Sequence, residues 1–173
     1  MMLKRKVLAC CLLAVAANLQ AQNPIIQTHY TTDPAPMVYG DTLYLYVGCD
    51  EPDAPRDSYL MREYRLYTTT DMVNWTDHGV VLSLKTFDWA QSDAWAMQCV
   101  ERDGKYYAYV PVTKKGGGGA IGVAVADSPY GPFKDPLGKP LVWQKEHWVL
   151  IQPSLSMRTD KLICTGEILI VIM

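Results

Sequence analysis

From residue 30 onward the chain is built from short runs in which apolar and polar positions alternate, each run closed by turn-forming residues. Residues 42–47 alternate with tyrosines on one face, and 64–69, 80–82, 96–101, 106–112 and 121–126 repeat the style. A period of two predicts β-strands, and hardly any stretch carries the 3.6-residue period of a helix. Gly40-Asp41 is expected to fold 37–39 back onto 42–47, and Asp103-Gly104 to join 96–101 to 106–112 in a tight hairpin. Gly79 is expected to close a turn before Val80, and Asp127-Ser128-Pro129-Tyr130-Gly131-Pro132 is a loop. Evenly spaced short strands with such punctuation predict an all-β sandwich, barrel or propeller. Two phrases, Asp71-Met72-Val73-Asn74-Trp75 and Asp127-Ser128-Pro129-Tyr130, each follow a strand with an acidic turn and then an aromatic. Their recurrence at roughly 50 residues favours propeller blades.

The N-terminus follows a different pattern. Lys4, Arg5 and Lys6 precede an apolar run over 7–17, and Leu19-Gln20-Ala21 offers a small residue at a cleavage point. This predicts a signal peptide over 1–21, and a secreted or periplasmic protein. The run is too short to span a bilayer. A lipoprotein reading through Cys10 would leave almost no apolar residues ahead of the cysteine. Residues 22–173 then remain, enough for one modest domain.

Composition removes several classes of function. A net charge of −2 without a basic stripe argues against nucleic acid as a partner. Cys49, Cys99 and Cys164 are odd in number and lack CxxC spacing, so they form neither a disulfide framework nor a zinc site. A Cys49–Cys99 pair stays open. His29, His78 and His147 lie far apart without metal-ligand spacing, and no cofactor is expected from these residues. Lys114-Lys115-Gly116-Gly117-Gly118-Gly119 lacks the ending of a phosphate-binding loop and reads as a flexible hairpin connection. Asn74-Trp75-Thr76 fits a glycosylation sequon but reads as turn residues between strands.

One carboxylate stands out. Thr32-Asp33-Pro34-Ala35-Pro36 sets Asp33 at the mouth of the first strand pair, and Pro34 biases it toward an extended backbone. Such an aspartate is either a turn former or a group placed for acid–base work. Four ordered phrases bear on the choice: Thr32–Pro36, 71–79, Ser92-Asp93-Ala94-Trp95-Ala96-Met97-Gln98, and 126–138. Together they resemble glycoside hydrolase family 43, over residues 23–144.

The resemblance implies a five-bladed β-propeller, of which this chain holds about three blades' worth. It also implies inverting hydrolysis of xylose- or arabinose-containing plant polysaccharides or oligosaccharides, by β-xylosidase or α-L-arabinofuranosidase action. Asp33 falls on the family's general base, which deprotonates the attacking water. Trp95 falls where an aromatic packs against the sugar, or else it is a core residue between blades. Asp50 and Glu51 follow the second strand and either bind sugar hydroxyls or are merely solvated. A calcium ion in a full-length relative is left open. A non-catalytic carbohydrate-binding propeller is the alternative function, and a secreted β-sandwich interaction domain a third.

The pattern breaks after Trp148. The family's second carboxylate belongs to an Ile-Asp-Pro-Thr-Val-Phe phrase and its acid, a glutamate, follows later; neither occurs here. Residues 149–173 instead end in Glu167-Ile168-Leu169-Ile170-Val171-Ile172-Met173. Joining the third nucleotide of each codon from Val149 to the first two of the next permits Ile-Asp-Pro-Thr-Val-Phe-Ile-Asp-Ala-Asp-Gly-Gln. The Gln152/Pro153 junction can encode only Thr or Ala, and Asp160/Lys161 only Gln or a stop; in each the wanted residue is available. The expectation is an out-of-frame tail over 149–173, arising near His147, and an inactive product.

Overall fold

The computed structural model describes residues 24–55, 57–146, 149–158 and 161–172, by backbone alone beyond Val149. The expected signal peptide and His147 lie outside the described residues.

Three antiparallel sheets follow one another along the chain. The first is a meander of β1 (Thr31–Tyr39), β2 (Thr42–Cys49), β3 (Glu63–Thr69) and β4 (Thr76–Ser83). In the second, β5 (Ala90–Ser92) and β6 (Gln98–Arg102) share one edge of β7 (Lys105–Lys114), and β8 (Gly119–Ala126) and β9 (Val142–Gln144) follow. The third is a hairpin of β10 (Val149–Arg158) and β11 (Lys161–Ile172), whose backbone lies alongside the second sheet. Thr31, Ala90 and Val149 begin the first strand of each sheet. The repeat is even, and somewhat longer than the ~50 residues expected.

Local chemistry explains the turns. Tyr39 pairs with Thr42 across Gly40-Asp41, and Arg102 with Lys105 across Asp103-Gly104. Asp103 (φ 54°) and Gly104 (φ 74°) both turn left-handed, as a two-residue hairpin connection requires. Between β3 and β4, Asp71 accepts the backbone N–H groups of Val73 (2.9 Å) and Asn74 (2.8 Å) and the Asn74 amide (2.7 Å). Those bonds hold its carboxyl far below the usual carboxylate range. Gly79 departs from expectation. It closes no turn, because β4 already begins at Thr76; it lies in a bulge where Tyr67 pairs with Asp77 and Arg65 with Val80. Asp77 Oδ1 accepts its N–H at 2.7 Å.

The main core lies between the first two sheets, with Tyr46, Tyr64 and Leu66 facing Phe87, Ala108, Val110 and Ala124. Tyr46 is fully buried, and its hydroxyl donates to the Pro129 carbonyl at 2.7 Å. Tyr130 of the same loop meets the Tyr44 ring edge-on and lies 4.8 Å from the His78 ring. The 127–132 loop therefore clamps the second sheet onto the first. The opposite face of β2 is also covered, by Leu45 and Val47 with Tyr67, Ile26 and Trp75.

Cross-sheet contacts fix the relative direction of the strands. Beside the start of β3, the Met61 carbonyl accepts the Ala94 N–H at 3.0 Å. At the other end Tyr39, closing β1, meets Tyr106, opening β7, with centroids 5.8 Å apart. The first strands of the two sheets thus run in the same direction, and their starting ends lie together.

Cys49 and Cys99 are separate free thiols, so the pairing left open does not form. Burial pushes the Cys99 thiol up to about 12. His78 Nε2 lies 2.8 Å from Thr68 Oγ1, and His29 Nδ1 2.9 Å from Thr28 Oγ1. Both are hydrogen-bonded histidines.

Candidate active site

Both edge strands that meet between the sheets are interrupted, and each interruption carries an aspartate. In β1, Thr32 pairs with Gly48 and Ala35 with Tyr46, so Asp33 and Pro34 together oppose Val47 alone. This is a β-bulge, which re-aims the side chain of the surplus residue. Asp33 has φ 50°, in the left-handed region. The extended backbone expected of it is therefore corrected: Pro34 disfavours only the right-handed helical region, and the bulge absorbs its extra residue by turning Asp33 left-handed. Aspartate tolerates that conformation better than most residues.

In the second sheet Ser92 pairs with Thr113 and Gln98 with Tyr109. Residues 93–97 therefore loop out opposite the three residues 110–112. Asp93 (φ 64°) opens the loop, and its Oδ2 accepts the Ser92 hydroxyl at 2.7 Å and the Thr113 hydroxyl at 2.6 Å. The Trp95 N–H donates to the Asp93 carbonyl (2.9 Å) and to the Pro111 carbonyl (3.1 Å). The Trp95 carbonyl accepts the hydroxyl of Tyr64, a fully buried residue of β3. Tyr64 thus ties the Trp95 loop to the sheet that carries Asp33.

The electrostatics follow from this packing. Asp33 is half-buried, and its carboxyl is raised above the ordinary value, first by burial and next by the negative charge of Asp50. A hydrogen bond with the Thr32 side chain opposes the rise. Burial, and then the charge of Asp33, lift the Tyr64 hydroxyl well above its usual range. A raised carboxylate that is still ionised is a stronger proton acceptor.

The other expected residues are placed as follows. Trp95 is partly buried and flanks the main core, at the same end of the molecule as Asp33. Asp50 follows β2, and its N–H donates to the Tyr30 carbonyl at 3.1 Å. Its Oδ1 is buried without a hydrogen-bond partner among the described residues. Asp50 also borders a cleft of about 700 Å³ lined by Ile26, Gln27, Thr28, His29 and Tyr30. Glu51 pairs with Arg62 at 2.5 Å, so its carboxylate is engaged. Among the described residues no group of three or more His, Cys, Asp or Glu side chains could hold a metal ion, and no helix is long and apolar enough to cross a membrane.

Tyr64 and Asp93 escaped the sequence reading as site residues. Tyr64 looked like one more tyrosine of an alternating strand. Asp93 stood in a phrase singled out for Trp95, and the Ser92-Asp93 pair with a distant threonine was the only available signal.

Chemically, the arrangement is one ionisable carboxylate at a strand irregularity, a second carboxylate beside it, and a partly buried tryptophan packed against the core at the same end. The profile described as glycosyl hydrolases family 43 matches residues 21–161. A xylosidase/arabinosidase 43A of Humicola insolens is 39% identical over 118 residues, covering 64% of this chain and 36% of that protein. A xylosidase/arabinosidase of Bacteroides ovatus is 38% identical over 116 residues, covering 63% and 36%. Among solved structures, a β-xylosidase/α-arabinofuranosidase from a compost microbial metagenome, in complex with xylotriose, superposes with a TM-score of 0.65 at 34% identity. That match covers 74% of this chain and 41% of the other. The chain therefore spans less than half the length of these relatives.

Proposed function

The chain belongs to glycosyl hydrolase family 43, and on that premise we propose that it carries the water-activating part of an inverting glycosidase site for xylose- or arabinose-containing polysaccharides. Its first two sheets are successive blades of the family's propeller. Asp33 is the general base. Its carboxylate takes a proton from water, the water oxygen bonds to the anomeric carbon, and the glycosidic C–O bond breaks on the opposite face as the glutamic acid of the complete family site gives its proton to the leaving oxygen. Inversion requires room for that water between base and sugar. The observation that carries the reading is the left-handed Asp33 at the bulge of β1, half-buried and raised by burial and by Asp50.

Trp95 offers its ring to the C–H face of a pentose, and Asp50 accepts sugar hydroxyls. The phrase carrying the family's second carboxylate is absent from the sequence as given, and so is the acid expected after it. Loss of an acid forfeits about 10²–10⁴ in rate. Purified residues 22–173 are therefore expected to turn over an aryl xyloside or arabinofuranoside at least about 10²-fold more slowly than a version that carries the acid. In a version with the reading frame restored after His147, Asp33→Asn should lower kcat by about 10²–10⁴ while xylose affinity stays within a few-fold. Unchanged kcat would remove Asp33 from the chemistry. Restored chain that binds sugar but turns nothing over would instead favour a carbohydrate-binding propeller.

A further inference from the structure

The Lys114–Gly119 segment, read from sequence as a flexible connection, is docked against the edge of the second sheet. Trp143 on β9 is 44% exposed, yet it is held in place. Its indole N–H donates to the Gly117 carbonyl at 3.1 Å, and the Lys114 ammonium stands 4.9 Å from the ring centroid. Gly118 has φ 91°, and a Cβ there would lie 2.4 Å from the Gln144 carbonyl oxygen and 2.9 Å from the Trp143 indole nitrogen. The loop closes over β9 only because position 118 has no side chain. Exposed aromatics scattered over a surface need no explanation; one seated by a glycine loop and a lysine does.

Its location supplies the rest. Lys114 pairs with Ala90, the Lys115 N–H donates to the Trp89 carbonyl at 2.9 Å, and Gln144 pairs with Gly119. Trp143 therefore stands at the starting end of the second sheet's first strand, the same end as Trp95 and Asp33. From β5 to β9 is three strand spacings, about 14 Å. Lys114 spends one ammonium hydrogen on the Lys115 carbonyl at 3.2 Å, which leaves others for hydroxyls.

We propose that Trp143, seated by the Lys114–Gly118 loop, is a second contact point for a pentosan chain that runs outward across the Asp33 end of the molecule. The ligand is a neutral polymer: the indole takes the apolar face of one pentose on the side away from Lys114, and Lys114, which stands over the other face of the ring, donates to hydroxyls of a neighbouring unit. This rests on the proposed pentose-polymer reading of the site. It adds a contact that a single bound sugar or short oligomer at Asp33 does not reach.

The test uses the full chain in two assays. In gels containing arabinoxylan, Trp143→Ala should weaken the apparent affinity by roughly three- to tenfold, and Trp143→Phe should recover part of it. In the unsubstituted chain, the Trp143 indole N–H resonance should shift on adding long xylo-oligosaccharides but not xylotriose, while xylotriose still shifts Trp95. An unmoved Trp143 resonance with long oligomers, or unaltered retardation of Trp143→Ala, overturns the proposal and leaves the Asp33 reading standing. If no sugar of any length moves Trp95 or Trp143, the functional reading fails and this contact fails with it.

Discussion

Replacing Tyr64 by phenylalanine deletes one oxygen and keeps the ring, so it isolates the link between the two sheets at the site. Tyr64 is fully buried, and its hydroxyl donates to the carbonyl of Trp95. Its removal forfeits one hydrogen bond and leaves that carbonyl without its donor, a loss of about 1–3 kcal/mol. At 2–4 °C per kcal/mol for a chain of this size, the expected fall in Tm is about 2–12 °C. Tyr46→Phe is the control. It removes an equally buried hydroxyl, the donor to the Pro129 carbonyl at 2.7 Å, whose other neighbour is the Cys99 thiol of β6 and which does not bond to the Trp95 carbonyl. Thermal unfolding by circular dichroism should show comparable losses for both. Amide hydrogen exchange should separate them: Ala94 and Trp95 should exchange faster in Tyr64→Phe alone. Equal protection of Ala94 and Trp95 in the two variants, or a Tm for Tyr64→Phe within about 1 °C of the parent, would refute the idea that this hydroxyl holds the loop.

Two further outcomes follow from the same packing. Asp33 has a carboxyl raised in the folded state, so its ionised form disfavours the fold; that cost is present above the folded value and vanishes as pH falls below the unfolded one. Asp33→Asn, which tolerates the same left-handed backbone, should raise Tm near neutral pH and lose that advantage in acid; a constant difference across pH would contradict the assignment to burial and Asp50. Gly122→Ala would bring a Cβ within 2.7 Å of the buried Phe87 ring, and overpacking of that kind costs about 1–3 kcal/mol, read as a lower urea midpoint at unchanged slope.

Much of the scaffold was legible because its causes are local. Alternation placed β2, β3, β7 and β8, and Asp-Gly and Gly-Asp fixed two hairpins, since two-residue connections depend on which residues accept left-handed backbone. What escaped depends on partners distant in sequence. Asp33 reads as an extended pre-proline residue until β2 opposes two residues with one. Gly79 reads as a turn until β3 pairs across it. The four-glycine loop reads as slack until β9, more than twenty residues on, comes to lie beneath Gly118. Asp93 acquires its role only when Thr113 reaches it from the neighbouring strand. Asp33 was visible as a candidate because its phrase resembles a family, whereas Tyr64 had no such signal.

The left-handed geometry at residues 33 and 93 has a bearing on mutational scanning. Any branched replacement there would injure the backbone as well as delete a charge, so a scan of all side chains would exaggerate the importance of the carboxyl group. Asparagine, which accepts the same torsion angles, is the one substitution at either position whose effect can be read as chemistry.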